Sequence, residues 1–207
     1  MGEPLKSCTD DELAWKTRAG SMDAFEELVA RYEGRIFRLC ITLTRSPEDA
    51  REITQDSFVR AFQSIGQFRT GRSFAAWIFT IARNRCIDHH RSSPPPSEPL
   101  DPETPVDGNP SEDLERREGI SNLWNLARKH LSPDQFQVLY LKYVEGMDFR
   151  EIAQILGRTQ THTKVIAFRA RCTMALKLSN APDFETSGGA ERNSLDPAKM
   201  VPTQAAR

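Results

Sequence analysis

"SPDQFQVLYLKYVEGMDFREIAQILGRTQ", Ser132 to Gln160, announces two helix starts and two helix ends in one short run. Ser132, Pro133 and Gln135 form a capping box with proline at the first helical position. Phe136, Leu139, Tyr140 and Tyr143 then share one face at helical spacing, and Gly146 closes the turn. Asp148 and Glu151 repeat the cap in a weaker version, Ile152, Ala153 and Leu156 line a short helix, and Gly157 ends it. "GRTQ", 157–160, launches a further helix through roughly Leu178. Short helix, glycine-containing turn and basic helix is the helix-turn-helix pattern, whose second helix is the one expected in a major groove. Ile166, Ala170 and Met174 can pack inward, which leaves Thr161, Lys164, Val165, Phe168 and Arg171 on a different face suited to phosphates and base edges. Ordinary packing is the alternative use for Val165 and Phe168.

Working upstream, a first helical module begins after Gly20, with Ser21 or Asp23 as cap. Phe25, Leu28, Val29, Tyr32, Ile36, Leu39 and Leu43 keep a helical repeat. "SPED" at 46–49 restarts the chain with Ser46 as cap and Pro47 at the first position, and the helix buries Ala50, Ile53, Phe58, Ala61, Phe62 and Ile65 before Gly66. Its other face carries Glu48, Asp49, Glu52, Gln55 and Asp56. After the loop "QFRTGRS" comes "FAAWIFTIARNRCIDHHR", Phe74 to Arg91: Phe74, Trp77, Ile78 and Ile81 make an apolar stripe, while Arg83, Asn84, Arg85 and Arg91 crowd the other side. At this spacing Phe74 and Trp77 read as core rather than as stacking platforms. With no convincing alternating strand pattern, the fold class is all-α: two small helical domains joined by a linker.

The linker, residues 92–113, holds three consecutive prolines and six acids with no base, a composition that cannot offset the entropy of folding. Its acids serve solvation alone or imitate a nucleic-acid backbone. Residues 179–207 lack periodicity and read as a disordered tail, and 1–20 as an N-terminal segment. The net charge of -1 hides a segregation: Arg60 to Arg91 has six arginines against Asp88 alone, and Arg158 to Lys177 has five basic residues and no acid. The anion these modules face is most simply DNA. No run approaches the roughly 18–20 apolar residues of a membrane span, and "MGEPLKSCTDDELAW" lacks the regions of a signal peptide, so the expectation is a cytoplasmic protein without membrane insertion. Cys8, Cys40, Cys86 and Cys172 lack paired metal or disulfide spacing, and Cys40 and Cys86 read as reduced, buried thiols. Adjacent His89 and His90 point about 100° apart and cannot readily share an ion, so no metal, cofactor or catalytic residue is expected. An enzyme would need a phosphate loop, nucleophile elbow or metal constellation, and none is present in the sequence.

"SPEDAREITQDSFVRAF", "FAAWIFTIARNRCIDHHR", "LSPDQFQVLYLKYVEGMDFREIAQILG" and "FRARCTMAL" together resemble the bacterial sigma factors of the extracytoplasmic-function group, over about residues 21–178. The resemblance implies a transcription initiation factor, with residues 21–91 as a region 2-like domain and 114–178 as a region 4-like domain. It implies that Asp49, Glu52, Gln55 and Phe58 dock on core RNA polymerase. It further implies that Arg69, Arg72, Ser73, Phe74, Asn84, Arg85 and Arg91 hold promoter DNA at the -10 element, where an unstacked base enters a pocket. Arg158, Thr161, His162, Lys164, Val165, Phe168, Arg169 and Arg171 would meet the -35 element. An anti-sigma factor is a usual further partner of the family. "THTKVI" departs from the "GTVKSR"-like start common in the family, with Ile166 where an arginine is frequent, so the base-reading surface is altered. The competing reading is a stand-alone helix-turn-helix regulator, which explains residues 132–178 well and 21–91 badly.

Overall fold

The computed structural model describes residues 5–69, 73–92 and 114–179, with 114–118 as backbone alone. Arg72, the linker from residue 93 and the tail from residue 180 lie outside the described residues. Every regular element among the described residues is helical: α1 (Asp10–Arg18), α2 (Met22–Thr44), α3 (Pro47–Ser64), α4 (Phe74–Ser92), α5 (Leu114–His130), α6 (Pro133–Tyr143), α7 (Phe149–Leu156) and α8 (Gln160–Ser179), with short 3-10 turns at Leu5–Ser7 and Ile65–Gln67.

The helix starts follow from side-chain oxygens that satisfy the unpaired first-turn N–H groups. Ser21 accepts from the Ala24 N–H at 3.3 Å and Ser46 from that of Asp49 at 3.2 Å. Ser132 and Gln135 complete their box. Asp148, read from sequence as the weaker cap, accepts from Arg150 and Glu151 at 2.7 and 2.8 Å, while Glu151 accepts from the Asp148 N–H at 3.0 Å. Gly157 ends α7 at φ 62°, a left-handed conformation that lets the Arg158 N–H reach the Ala153 carbonyl at 2.9 Å.

The first module is larger than its periodic stretches. α1 packs on α2 and α4 and buries Leu13, Ala14 and Thr17, so part of the segment before Gly20 belongs to this core. Asp10 accepts from the Tyr32 hydroxyl at 2.5 Å and Asp11 from the Phe74 N–H at 3.1 Å, which ties α1 to both neighbours. A helix this short carries too few apolar residues to announce a face. At the centre, Phe74 is fully buried, with the Tyr32, Trp77 and Phe68 rings at 5.3, 5.8 and 6.0 Å. The core reading of Phe74 therefore holds, and Trp77 is partly buried against the same cluster. Phe79 and Ala82, outside the expected stripe, are also fully buried, because α4 meets α1, α2, α3 and α7 and has little surface left. Phe62, expected inside, is exposed, and so is Tyr143 on α6. Cys40 and Cys86 are free and buried; the neighbouring Cys40 sulfur and burial push the Cys86 thiol up, which keeps it protonated.

In the second module α6 and α7 pack on α8, and α5 adds Trp124, whose ring lies 5.5 Å from Phe136 and 6.0 Å from Tyr140. Phe74→Ala should lower unfolding free energy by about 3–5 kcal/mol through the cavity it leaves, measured by urea denaturation. A midpoint unchanged from that of the unsubstituted chain would place Phe74 outside the core.

Candidate nucleic-acid interface

α8 sorts its side chains cleanly. Thr163, Ile166, Ala167, Ala170 and Met174 are buried on α6 and α7, and Thr159 starts the helix by accepting from the His162 N–H at 3.2 Å. Arg158, Thr161, His162, Lys164, Val165, Phe168, Arg169 and Arg171 all stand at the surface. Val165 and Phe168, for which packing was the alternative, keep 41% and 47% of their surface. Ile166 is turned into the core, so the position where an arginine is frequent in the family offers no donor to DNA.

The first module divides its predicted residues. Asn84, Arg91 and Arg69 are exposed. Phe74 is not available for a base, since its ring is spent in the aromatic cluster. Ser73 caps α4, its hydroxyl accepting from the Ala76 N–H at 3.3 Å. Arg85 is paired with Asp56 on α3 and lies 3.8 Å from Asp88. Beside the loop, Arg18, Gly66, Gln67, Phe68, Arg69 and Trp77 line a cleft of about 680 Å³. Arg18 and Gln67 are additions to the sequence reading. Arg18 comes from α1, outside any motif, and donates to the Phe68 carbonyl at 3.3 Å.

On α3, Glu52 and Gln55 are exposed, but Asp49 lies 3.5 Å from His89 and Asp56 also binds Arg60 at 3.1 Å. Phe58 does not project from the surface: it is buried, edge-on to Phe25 at 6.4 Å. With Gln55 it lines an open groove of about 860 Å³ between α2 and α3, rimmed by the exposed Met22, Val59 and Phe62.

The two modules touch along α4 and α7. Arg35 donates to Glu145 at 2.8 Å, and the Glu145 side chain keeps only 3% of its surface. Arg83, one of the basic residues opposite the apolar stripe of α4, is turned to the second module: it donates to Gln137 at 2.6 Å and stands 3.7 Å from Asp134. Burial lowers the pKa of Arg83, with Asp134 opposing and Arg158 adding to the shift. Asp134 is shared, since Arg158 also donates to it at 3.2 Å.

The sequence matches the family descriptions "Sigma-70 region 2" over residues 28–93 and "Sigma-70, region 4" over 127–174. It is 31% identical over 156 residues to the ECF RNA polymerase sigma factor SigW of Bacillus subtilis, an alignment covering 69% of this chain and 82% of that relative. The chain belongs to the extracytoplasmic-function sigma factors. It is also 32% identical over 171 residues to the ECF sigma factor BldN of Streptomyces coelicolor, covering 79% of this sigma factor and 64% of that longer relative. Among solved structures, CnrH in complex with the cytosolic domain of CnrY superposes with a TM-score of 0.61 at 24% identity, covering 83% of this chain and 97% of that one, a likeness of fold.

Replacing Glu145 of this sigma factor by alanine removes the carboxylate that Arg35 binds across the module boundary, leaving only the Glu145 carbonyl at 3.5 Å, and should weaken the contact by about 1–3 kcal/mol. The expected sign is a larger radius of gyration by small-angle X-ray scattering with helical content unchanged. An unchanged radius would show that the pair does not hold the modules together.

Proposed function

We propose that this sigma factor acts in the cytoplasm without catalysis of its own, binding core RNA polymerase through the first module and placing it on promoters that both modules recognise. The exposed face of α8 carries this reading: small polar and apolar groups between cations, raised on a helix-turn-helix whose other side is core. The α2–α3 groove favours a protein rather than DNA on that side, because it is apolar within, its lining balances Glu33 against Arg51, and Glu52 and Gln55 are exposed on α3. Core polymerase is the partner assigned to it, and an anti-sigma factor would compete there. The cleft with Arg69, Arg18, Gln67 and Trp77 supports capture of an unstacked -10 base, with Asn84 and Arg91 along the strand. Arg85 joins them by exchanging Asp56 for a phosphate.

Joining the modules on polymerase raises the effective concentration of the second contact once the first forms, so binding to DNA by the free protein should be weak. The deciding experiment is run-off transcription with purified bacterial core polymerase on a library of promoter fragments. Discrete starts only in the presence of this protein are expected, with two upstream elements. A specific gel shift without polymerase, together with no binding to core, would instead favour the stand-alone regulator. Glu52→Lys with Gln55→Ala should reduce core affinity about tenfold or more by pull-down or fluorescence titration, on the scale of a few interface contacts. Asn84→Ala should leave that affinity unchanged and reduce promoter opening, read by permanganate reactivity.

A further inference from the structure

Val165 and Phe168 pose a problem of physical chemistry. They are large apolar side chains left 41% and 47% exposed on a helix whose core positions are already filled by Ile166, Ala167, Ala170 and Met174. Scattered exposed apolar residues need no explanation, but these two are one helical turn apart on one face. Thr161 precedes Val165 on that face, and Lys164, Arg169 and Arg171 flank it with positive charge, all exposed. An apolar strip between cations is complementary to a surface that is apolar in the middle and anionic at its edges. A DNA major groove has that layout: phosphates on both walls, and on its floor one apolar feature, the 5-methyl group of thymine.

We infer that Val165 and Phe168 read thymine methyl groups at two neighbouring base pairs of the -35 element. The inference rests on the assignment of α8 to that element and adds the chemistry of its specificity. Residues three apart on a helix are offset by about 4.5 Å along its axis, comparable to the roughly 3.4 Å between stacked bases, so the two side chains meet adjacent steps. The inward turn of Ile166 is consistent with this, since it removes a donor that would favour guanine and leaves the middle of the helix to apolar contact. His162 and Lys164 remain exposed at the start of the helix for hydrogen bonds on either side of the methyl pair.

The test separates the methyl group from everything else about thymine. Holoenzyme assembled from the full chain and core polymerase is titrated, at fixed salt, onto promoter duplexes in which each thymine of the mapped -35 element is replaced by deoxyuridine. Base pairing and hydrogen bonding are retained, and only the methyl is lost. Two neighbouring positions are expected to weaken binding by about three- to fivefold each, the scale of one buried methyl. Val165→Ala should abolish the sensitivity at one position and Phe168→Ala at the other, a coupling that general weakening would not produce. Because both side chains are exposed, both variants should fold, checked by circular dichroism. An element at -35 with no deoxyuridine sensitivity, or with sensitivity that survives both substitutions, would overturn the inference and leave the assignment of α8 standing. Absence of any -35 element in the promoter library would overturn both.

Discussion

Phe74 is the point at which the first module is tied. Its ring contacts Tyr32 of α2, Phe68 of the loop and Trp77 of its own helix, and its backbone N–H is held by Asp11 of α1. Four parts of the chain therefore converge on the first residue of α4. Buried aromatic pairs add about 0.5–1.5 kcal/mol each beyond the area they remove from water, so the cluster both stabilises and orients. Asn84 and Arg91 lie farther along the same helix, and their places relative to Arg69 and the loop cleft follow from that anchor. A recognition surface built on a helix rooted in the core is better defined than one carried by loops alone.

The cost of that rooting is surface. Counting arginines suggests a broad basic face on α4, but most of the helix is enclosed, and its charges divide between jobs. Arg83 is desolvated against Gln137 and Asp134 of the second module, so moving it means breaking a partly buried contact. Arg85 is held by Asp56, which remains one-third exposed. Ion pairs at that depth are worth about 0–1 kcal/mol, and exchanging Asp56 for a phosphate is inexpensive. The acids of α3 thus do two things: Glu52 stays exposed at the surface, while Asp56 screens Arg85 and Asp49 lies beside His89.

The helices with strong periodicity and explicit caps could be read from sequence, and so could the helix-turn-helix. Ser46-Pro47, Ser132-Pro133 and Gly157 act locally, through their own hydrogen bonds and φ angles, so their neighbours hardly alter their meaning. What escaped was set by tertiary contact. α1 has too few buried residues to show a stripe, and only its docking on α2 and α4 reveals it. Phe58 and Phe62 lie on neighbouring turns of one helix with similar hydropathy, and only the path of α2 decides that the first is buried and the second rims a groove. Arg83 and Asn84 are adjacent in sequence and differ in exposure because α6 covers one of them. On α8 the face was legible because the buried side chains fill one side of a regular helix.

Asp134 has a consequence for ionic strength. It already occupies Arg158 at 3.2 Å, in the position an ion from solution would otherwise take. At the proposed -35 contact, a phosphate arriving at Arg158 would displace that carboxylate instead of a bound anion, and the carboxylate would remain part of the molecule, facing Arg83. Salt dependence of DNA binding arises from ions released to the bulk, counted per phosphate neutralised. The Arg158 contact therefore carries an internal counterion. It would contribute less to the salt dependence than an unpaired arginine, and the displaced Asp134 would still have Arg83 3.7 Å away.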